Sequence, residues 1–273
     1  MPEGPEIKLA ADDVAAALVG RVATEVYFAF DRLKPFESQL CGQPVTAVEA
    51  HGKAILTRFA NGLNIYSHNQ LYGRWVIRRA YDLPETNRQL RLAFHNSRQS
   101  ALLYSASDIE VLANDELAVH PFLSKLGPNV LNESVTAARV AARFVEPEFV
   151  RRRLTSLLLD QGFLAGLGNY LRSEVLFVSR LHPSLRPADC SAAQLSRLAE
   201  AALNLARQSY HTRGITNNLQ RAEQLRQQGW SRAQYRFWVF NRDGEPCFEC
   251  GTPIIKDSAG GRRLYFCPTC QAR

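Results

Sequence analysis

Ile7, Ala10, Ala11, Val14 and Leu18 recur at the three- and four-residue spacing of one helical face, and Gly20 follows as a stop. The chain is therefore predicted to start with an amphipathic helix. The period then changes. Short runs over 22–30, 45–50, 55–59, 63–68, 75–79, 90–94 and 101–105 read as strands, several divided by turn signals such as His51-Gly52 and Asn61-Gly62. Many short strands with turns between them argue for a β-sandwich or barrel. Past Pro121, Pro128 and Asn129 the helical period returns, and 136–144, 148–159, 169–181 and 192–208 read as helices rich in Leu and Ala. Residues 216–232 are polar and rich in Gln and Arg, a flexible or helical connector, and 235–270 read as a β-hairpin carrying cysteine pairs. The expected architecture is α+β. A β-sandwich domain covers 1–131, a helical domain 132–234 and a four-cysteine hairpin 235–273.

With 273 residues and 46% hydrophobic content, the chain can bury at least one sizeable core, and disorder is not expected. It has no run of 18 or more apolar residues, so no membrane span is expected. The start, Met1-Pro2-Glu3-Gly4-Pro5-Glu6, is acidic and lacks the features of a secretory signal, which points to the cytoplasm. The net charge of +7 is unevenly placed: 13 basic against 14 acidic residues in the first 131 positions, 20 against 12 in the rest. A basic second half suggests a polyanionic partner, the plainer alternative being a basic face kept for solubility.

Cys41 and Cys190 stand alone and read as small buried apolar residues. Cys247-Phe248-Glu249-Cys250 and Cys267-Pro268-Thr269-Cys270 are two C-x-x-C pairs with 16 residues between them, the spacing of a four-cysteine zinc site. Two disulfides or four unrelated thiols are the alternatives, and a cytosolic location argues against disulfides. Four sulfurs leave no open position for water, so such a zinc is structural rather than catalytic. The intervening turn Gly260-Gly261-Arg262-Arg263 presents two guanidinium groups, or merely surface charge.

Pro2 is small enough for the initiator methionine to be removed, leaving a secondary amine. A reference α-amino group titrates at about 7.7–8.0, so a useful fraction is neutral near neutral pH. Its attack on a sugar carbon at the aldehyde level gives an iminium ion, an electron sink for elimination like that of lysine Schiff bases. Glu3 and Glu6 could carry protons there, although carboxylates also suit a helix start for reasons of charge alone. In residues 162–169 glycines lead to Asn169, an N-cap candidate at the head of a helix, where free amides suit a phosphate. An ordinary helix corner without a ligand is the commoner use of such a stretch. Lys53 sits at a predicted turn, as a proton donor, a phosphate contact or a surface lysine. Gln70-Leu71-Tyr72 forms a loop tip that could wedge into a base stack or pack a hairpin.

Each of these features is ambiguous singly. In this order and spacing, the Pro2-Glu3-Gly4-Pro5-Glu6 start, the Lys53 turn, the corner Gly166-Leu167-Gly168-Asn169-Tyr170-Leu171-Arg172 and the terminal cysteine hairpin resemble one family along nearly the whole chain. It is the formamidopyrimidine-DNA glycosylase and endonuclease VIII family of bifunctional DNA glycosylases. The Met-Pro-Glu-Gly-Pro-Glu-Ile start and the run Ser67-His68-Asn69-Gln70-Leu71-Tyr72-Gly73 favour the endonuclease VIII branch over the purine-directed one.

The resemblance implies a β-sandwich, then a helical helix–two-turn–helix domain ending in a zinc β-hairpin with one structural Zn2+, and a DNA groove between the domains. It implies Pro2 as the nucleophile at C1′, Glu3 as general acid and proton shuttle, Lys53 as an aid to β-elimination and a phosphate contact, and Arg262 in δ-elimination and phosphate binding. Asn169 and Lys125 would contact DNA, and Gln70, Leu71 and Tyr72 would fill the gap left by a flipped nucleotide. Cys247, Cys250, Cys267 and Cys270 would hold the zinc, and Glu6 would support the site. The expected partner is double-stranded DNA with oxidised bases or abasic sites, met by a monomer in the bacterial cytoplasm, at the nucleoid. One departure stands out: 216–232 is longer than the family's usual connector, which leaves substrate preference open. The rivals are a purine-directed enzyme of the same family, a damage-binding protein without catalysis, and a zinc-ribbon protein for RNA or a protein partner. The joint presence of Pro2, Glu3 and Lys53 speaks against the second, and the third leaves the N-terminus unexplained.

Overall fold

The computed structural model describes residues 2–272; Met1, whose removal the sequence reading expects, and Arg273 lie outside the described residues. Two compact units emerge, and the chain start is divided between them. The first comprises Pro2 and residues 6–125, the second residues 3–5 and 126 onward.

In the first unit, helix α1 (Gly4–Leu18) is followed by strand β1 (Glu25–Phe28), a 3-10 turn over Asp31–Phe36 and the short helix α2 (Glu37–Leu40). Seven strands follow: β2 (Val45–His51), β3 (Ala54–Phe59), β4 (Leu63–His68), β5 (Arg74–Arg79), β6 (Leu90–His95), β7 (Gln99–Tyr104) and β8 (Asp108–Ala113). They form two four-stranded antiparallel sheets, ordered β1-β6-β7-β5 and β2-β3-β4-β8. Val26, Phe28, Phe94 and Leu103 of one sheet and Phe59, Ile65 and Ile109 of the other share one core with Val14, Ala17 and Leu18 of α1. This is the expected β-sandwich, with the alternation of each strand sending one face inward. The first strand is shorter than the apolar run 22–30 because its ends do other work. Val22 bridges Pro44, and beyond Phe28 the chain turns into the 3-10 segment that contains Pro35. Strand β8 was not anticipated, although Ile109 and Val111 alternate with acidic neighbours there.

The second unit contains α3 (Ala137–Phe144), α4 (Leu154–Leu157), α5 (Asn169–Val178), α6 (Ala192–His211), α7 (Leu219–Gln227) and α8 (Arg232–Tyr235), then a hairpin of β9 (Ile255–Ala259) and β10 (Arg262–Phe266). Thr136 caps α3 and Ser191 caps α6 through side-chain oxygens at 3.2 and 3.3 Å. Helix α5 is the hub, with Tyr170 through Phe177 all buried. The helix expected over 148–159 shrinks to α4, because the Leu154 N–H bonds the Leu185 carbonyl at 2.9 Å and a turn cannot propagate through it. Of the two readings of 216–232 the helical one holds for Leu219–Gln227, where the Asn218 side chain accepts from the Arg221 N–H at 2.9 Å. Two expectations are corrected. Cys41 is exposed and Cys190 half-buried, each with its thiol against a carbonyl (Thr24 and Arg186), so neither is a buried apolar filler. Asn169 does not cap α5: it is the first helical residue, and Gly168 holds the cap position without a side chain. Among the described residues no helix is long and apolar enough to cross a membrane.

Candidate active site

An α-helix leaves its first amides without partners inside the helix, and where these are buried something must accept from them. At α5 the acceptor comes from far away in sequence. The Glu3 carboxylate, 3% exposed, takes the Tyr170 N–H on Oε1 at 2.8 Å and the Leu171 N–H on Oε2 at 3.2 Å. The Gly4 N–H then bonds the Gly166 carbonyl at 2.7 Å. Residues 3–4 are thus fixed against the glycine corner, and half-buried Pro2 is the covalent neighbour of the seated carboxylate. Glu6 lies in the first turn of α1, half-buried.

Helix α5 also holds the hairpin. The fully buried Arg172 donates from Nη1 to the Thr155 carbonyl at 3.1 Å and from Nη2 to the Arg263 carbonyl at 2.8 Å. Ser173 Oγ accepts the Tyr265 N–H at 3.2 Å. Burial pushes the Arg172 guanidinium down to about 10, the Glu3 carboxylate opposes this, and the Arg262 charge adds to it. Glu3, Arg172 and Arg262 therefore share one electrostatic environment. Arg262 itself is exposed at the first position of β10, paired with Ala259 across the Gly260-Gly261 turn. Two residues further along α5, buried Glu174 accepts the N–H groups of Trp238, Val239 and Phe240 at 2.8, 2.9 and 2.9 Å. Neither Arg172 nor Glu174 was singled out as a site-forming residue from sequence. The signal that could have found them is a polar triplet, Arg172-Ser173-Glu174, inside a helix that is otherwise apolar on every face. Asn169, half-buried at the head of α5, has a shielded Oδ1 that accepts no hydrogen bond among the described residues.

The four zinc-pattern cysteines converge. Their sulfurs all lie within 4.8 Å of one another, with Cys250–Cys267 at 3.4 Å and Cys247–Cys270 at 3.9 Å. Tetrahedral zinc with Zn–S bonds of about 2.3 Å sets sulfurs roughly 3.8 Å apart, so the donor set fits the ion. The Cys270 N–H points at Cys267 Sγ, and the Glu249 N–H at Cys247 Sγ. Cys247 and Cys267 pack into a small core with Phe177 of α5, Val239, Ile254 and Tyr265.

In the first unit Lys53, only 7% exposed, occupies the β2–β3 turn, one residue before the Ala54–His68 pair. Burial, and secondarily the Lys53 charge, hold the His68 imidazole below the usual histidine range, with Asp108 opposing. The neutral ring accepts the Gln70 N–H on Nδ1 at 3.0 Å. Gln70 adopts a left-handed backbone (φ 51°), its Oε1 accepts from Ser107 Oγ at 2.7 Å, and Arg88 donates to the Tyr72 carbonyl at 2.7 Å. So tethered, the tip leaves Leu71 and Tyr72 50% and 67% exposed. Lys125 is exposed at the end of a 3-10 turn, Leu123–Lys125.

A folded-state histidine pKa below its unfolded value of about 6.5 contributes stability that is present above that value and lost as pH falls through the folded pKa. Acidification should therefore loosen the tip. After correction for intrinsic exchange, protection of the Gln70 amide is expected to fall between pH about 7 and 5, and His68→Asn should flatten the profile. Equal pH dependence in both proteins would refute the tether.

A β-sandwich preceded by a prolyl start, a helical unit whose central helix seats Glu3, and a four-cysteine hairpin define a zinc-finger DNA glycosylase fold. Residues 1–106 match the formamidopyrimidine-DNA glycosylase N-terminal domain, 126–220 the formamidopyrimidine-DNA glycosylase H2TH domain, and 244–273 the zinc finger found in FPG and IleRS. The chain belongs to the formamidopyrimidine-DNA glycosylase/endonuclease VIII family, and the finger marks a structural zinc at the cysteine cluster. It is 50% identical over 271 residues to Endonuclease 8 of Salmonella arizonae, covering 99% of this chain and 100% of the relative. It is 49% identical, over the same shares, to Endonuclease 8 of Salmonella schwarzengrund. Its fold matches that of a Lactococcus lactis formamidopyrimidine-DNA glycosylase solved with abasic-site DNA, with a TM-score of 0.81 and 18% identity, covering 99% of this chain and 100% of that one. It likewise matches the L. lactis enzyme solved with DNA containing an oxidised pyrimidine, with a TM-score of 0.82 and 20% identity over the whole of both chains.

Proposed function

We propose that this DNA glycosylase and AP lyase of base excision repair removes oxidised pyrimidines through a Schiff base on the amine of Pro2, and then cuts the strand by β- and δ-elimination. The reading is carried by the Glu3 carboxylate held on the α5 amides next to the prolyl start. Two hydrogen bonds and the positive end of a helix favour its ionised form. Glu3 is therefore a proton acceptor first. As the Pro2 nitrogen bonds C1′, the C1′–base bond breaks and its electron pair leaves with the base. The ammonium proton passes to Glu3, which returns it to O4′ as the C1′–O4′ bond opens and the iminium forms. Loss of the C2′ proton then expels the 3′ phosphate, with Lys53 assisting, and a second elimination beside Arg262 expels the 5′ phosphate.

Chemistry at C1′ requires the nucleotide to leave the stack, at a cost of a few kcal/mol. Leu71 and Tyr72, with Gln70, fill the vacated space and offset part of that cost. Asn169, Arg262 and Lys125 contact phosphates, which fix register without reading sequence. Glu6 supports the catalytic start. The zinc supplies no chemistry beyond gathering four thiolates; it mounts the turn that carries Arg262. The protein acts as a monomer on duplex DNA in the bacterial cytoplasm, and the pyrimidine preference rests on the chain start and the Gln70-Leu71-Tyr72 tip.

Borohydride trapping tests this reading. Duplexes containing thymine glycol, or 8-oxoguanine opposite cytosine, are offered to the protein with Met1 removed. Covalent capture on the thymine glycol duplex, mapped to the N-terminal peptide, is the expected result. Capture only with 8-oxoguanine overturns the substrate and keeps the mechanism. No capture on either duplex favours a damage-binding protein.

A further inference from the structure

Glycines at the head of a helix invite a phosphate-cradle interpretation, but at this corner the space is already filled. A Cβ added to Gly168 would lie 2.4 Å from Glu3 Cδ, 2.5 Å from Oε1 and 2.7 Å from Cγ. A Cβ on Gly4 would lie 2.8 Å from the Gly166 Cα, across the Gly4–Gly166 hydrogen bond of 2.7 Å. Gly166 also has a φ of +105°, which side-chain-bearing residues rarely adopt. The corner is stapled from behind: Gln161 Oε1 accepts the Gly166 N–H at 3.0 Å, and its Nε2 donates to the Leu159 and Leu167 carbonyls at 3.1 and 3.0 Å. The α5 amides of Tyr170 and Leu171 already donate to Glu3, which leaves them no hydrogen for an outside anion.

We infer that the Gly166–Gly168 corner is a seat for the N-terminal segment, and that Gly168 is a positioning residue for the reaction, setting where the Glu3 carboxylate and the adjoining Pro2 amine stand. The inference rests on the proposed roles of Pro2 and Glu3. It explains why the cap position of α5 carries no side chain: the capping carboxylate is borrowed from residue 3, so the helix end is completed only when the chain start is docked. A seat of this kind fixes the nucleophile by backbone geometry. The prolyl nitrogen has one peptide unit between it and the anchored residue, which leaves it few torsions.

A double-mutant cycle tests this, comparing Gly168→Ala with the wild type and in a Glu3→Ala background. Readouts are kcat and KM on abasic duplex, borohydride trapping and thermal melting. In the wild-type background the added methyl should lower kcat by about 100-fold, the effect of a displacement near 1 Å, with KM changed less than about threefold. In the Glu3→Ala background, where nothing is left to strike, the same methyl should cost less than about twofold. Equal losses in both backgrounds, or no loss in the first, would overturn the seat. Should Gly168→Ala fail to fold, recovery of folding in the double variant supports the steric claim, and failure in both overturns it. Retained activity in Gly168→Ala with normal N-terminal trapping would refute the seat alone. Absence of trapping in the wild type would refute the underlying mechanism.

Discussion

An N-terminal extension that converts the Pro2 amine into an amide is expected to abolish both strand cleavage and borohydride capture, with a loss of about 1,000-fold or more in single-turnover rate on abasic DNA. The reason is electronic. An acylated proline nitrogen has its lone pair in amide resonance and no proton to lose, so neither attack on C1′ nor an iminium is possible, and covalent catalysis has no substitute on the pathway. Pro2→Gly, by contrast, keeps an amine at the same chain position. It should retain detectable capture while losing rate, since glycine restores the torsional freedom that the pyrrolidine ring removes. Duplex affinity and melting temperature report on docking separately from chemistry, because the Glu3 and Gly4 bonds to α5 and Gly166 do not involve the Pro2 nitrogen. Full strand cleavage by the extended protein, with its extension confirmed by mass, would show that the amine is not the nucleophile.

What could be read from the sequence was whatever repeats locally. The strands alternate and the long helices show their stripe, so β4 was placed at its observed bounds and α3 within one residue. The cysteine pairs carry their own ruler, and their sulfurs meet as the spacing demands. What escaped depends on partners distant in sequence. The expected helix over 148–159 breaks at Leu154, whose N–H goes to the Leu185 carbonyl, a partner that no local window contains. Asn169 is chemically a fine cap, yet the carboxylate that satisfies α5 lies more than 160 positions upstream. The resemblance placed Glu3 and Asn169 in one site but said nothing of why Gly168 has no side chain; the close approach of Glu3 supplies the reason.

Helix α5 gathers these observations. Its head takes the chain start through Glu3, its middle takes the hairpin strand through Arg172 and, two residues on, residues 238–240 through Glu174. A buried guanidinium and a buried carboxylate are costly unless fully partnered. Here Glu174 takes three amides and Arg172 two carbonyls of the segments they hold, the Arg172 Nε alone having no partner among the described residues, so both act as registers. Arg172→Met or Glu174→Gln would leave carbonyls or amides of those segments without a partner.

Zinc removal is the second large effect to expect. Stripping the ion with a chelator, or replacing Cys267 with Ser, should lower cleavage of abasic duplex by 100-fold or more and weaken duplex binding, while the β-sandwich keeps its own melting transition. Structural zinc contributes about 10–16 kcal/mol to the small domains that bind it, far more than the hairpin between Ile255 and Phe266 can supply from its few buried residues. Buried Cys247 and Cys267 share their core with Phe177 of α5 and with Tyr265, so loss of the ion loosens the strand that begins at Arg262. Arg262→Ala separates the mount from the charge it carries. It should retain zinc, melting and N-terminal capture, yet accumulate the β-elimination product at the expense of δ-elimination. Restoration of cleavage by added zinc, in the chelated protein but not in Cys267→Ser, would tie the loss to the ion. Full activity in protein shown to be metal-free would mean that the cysteine hairpin holds its shape without the ion, and the mount would have to be sought in the Arg172 and Ser173 bonds alone.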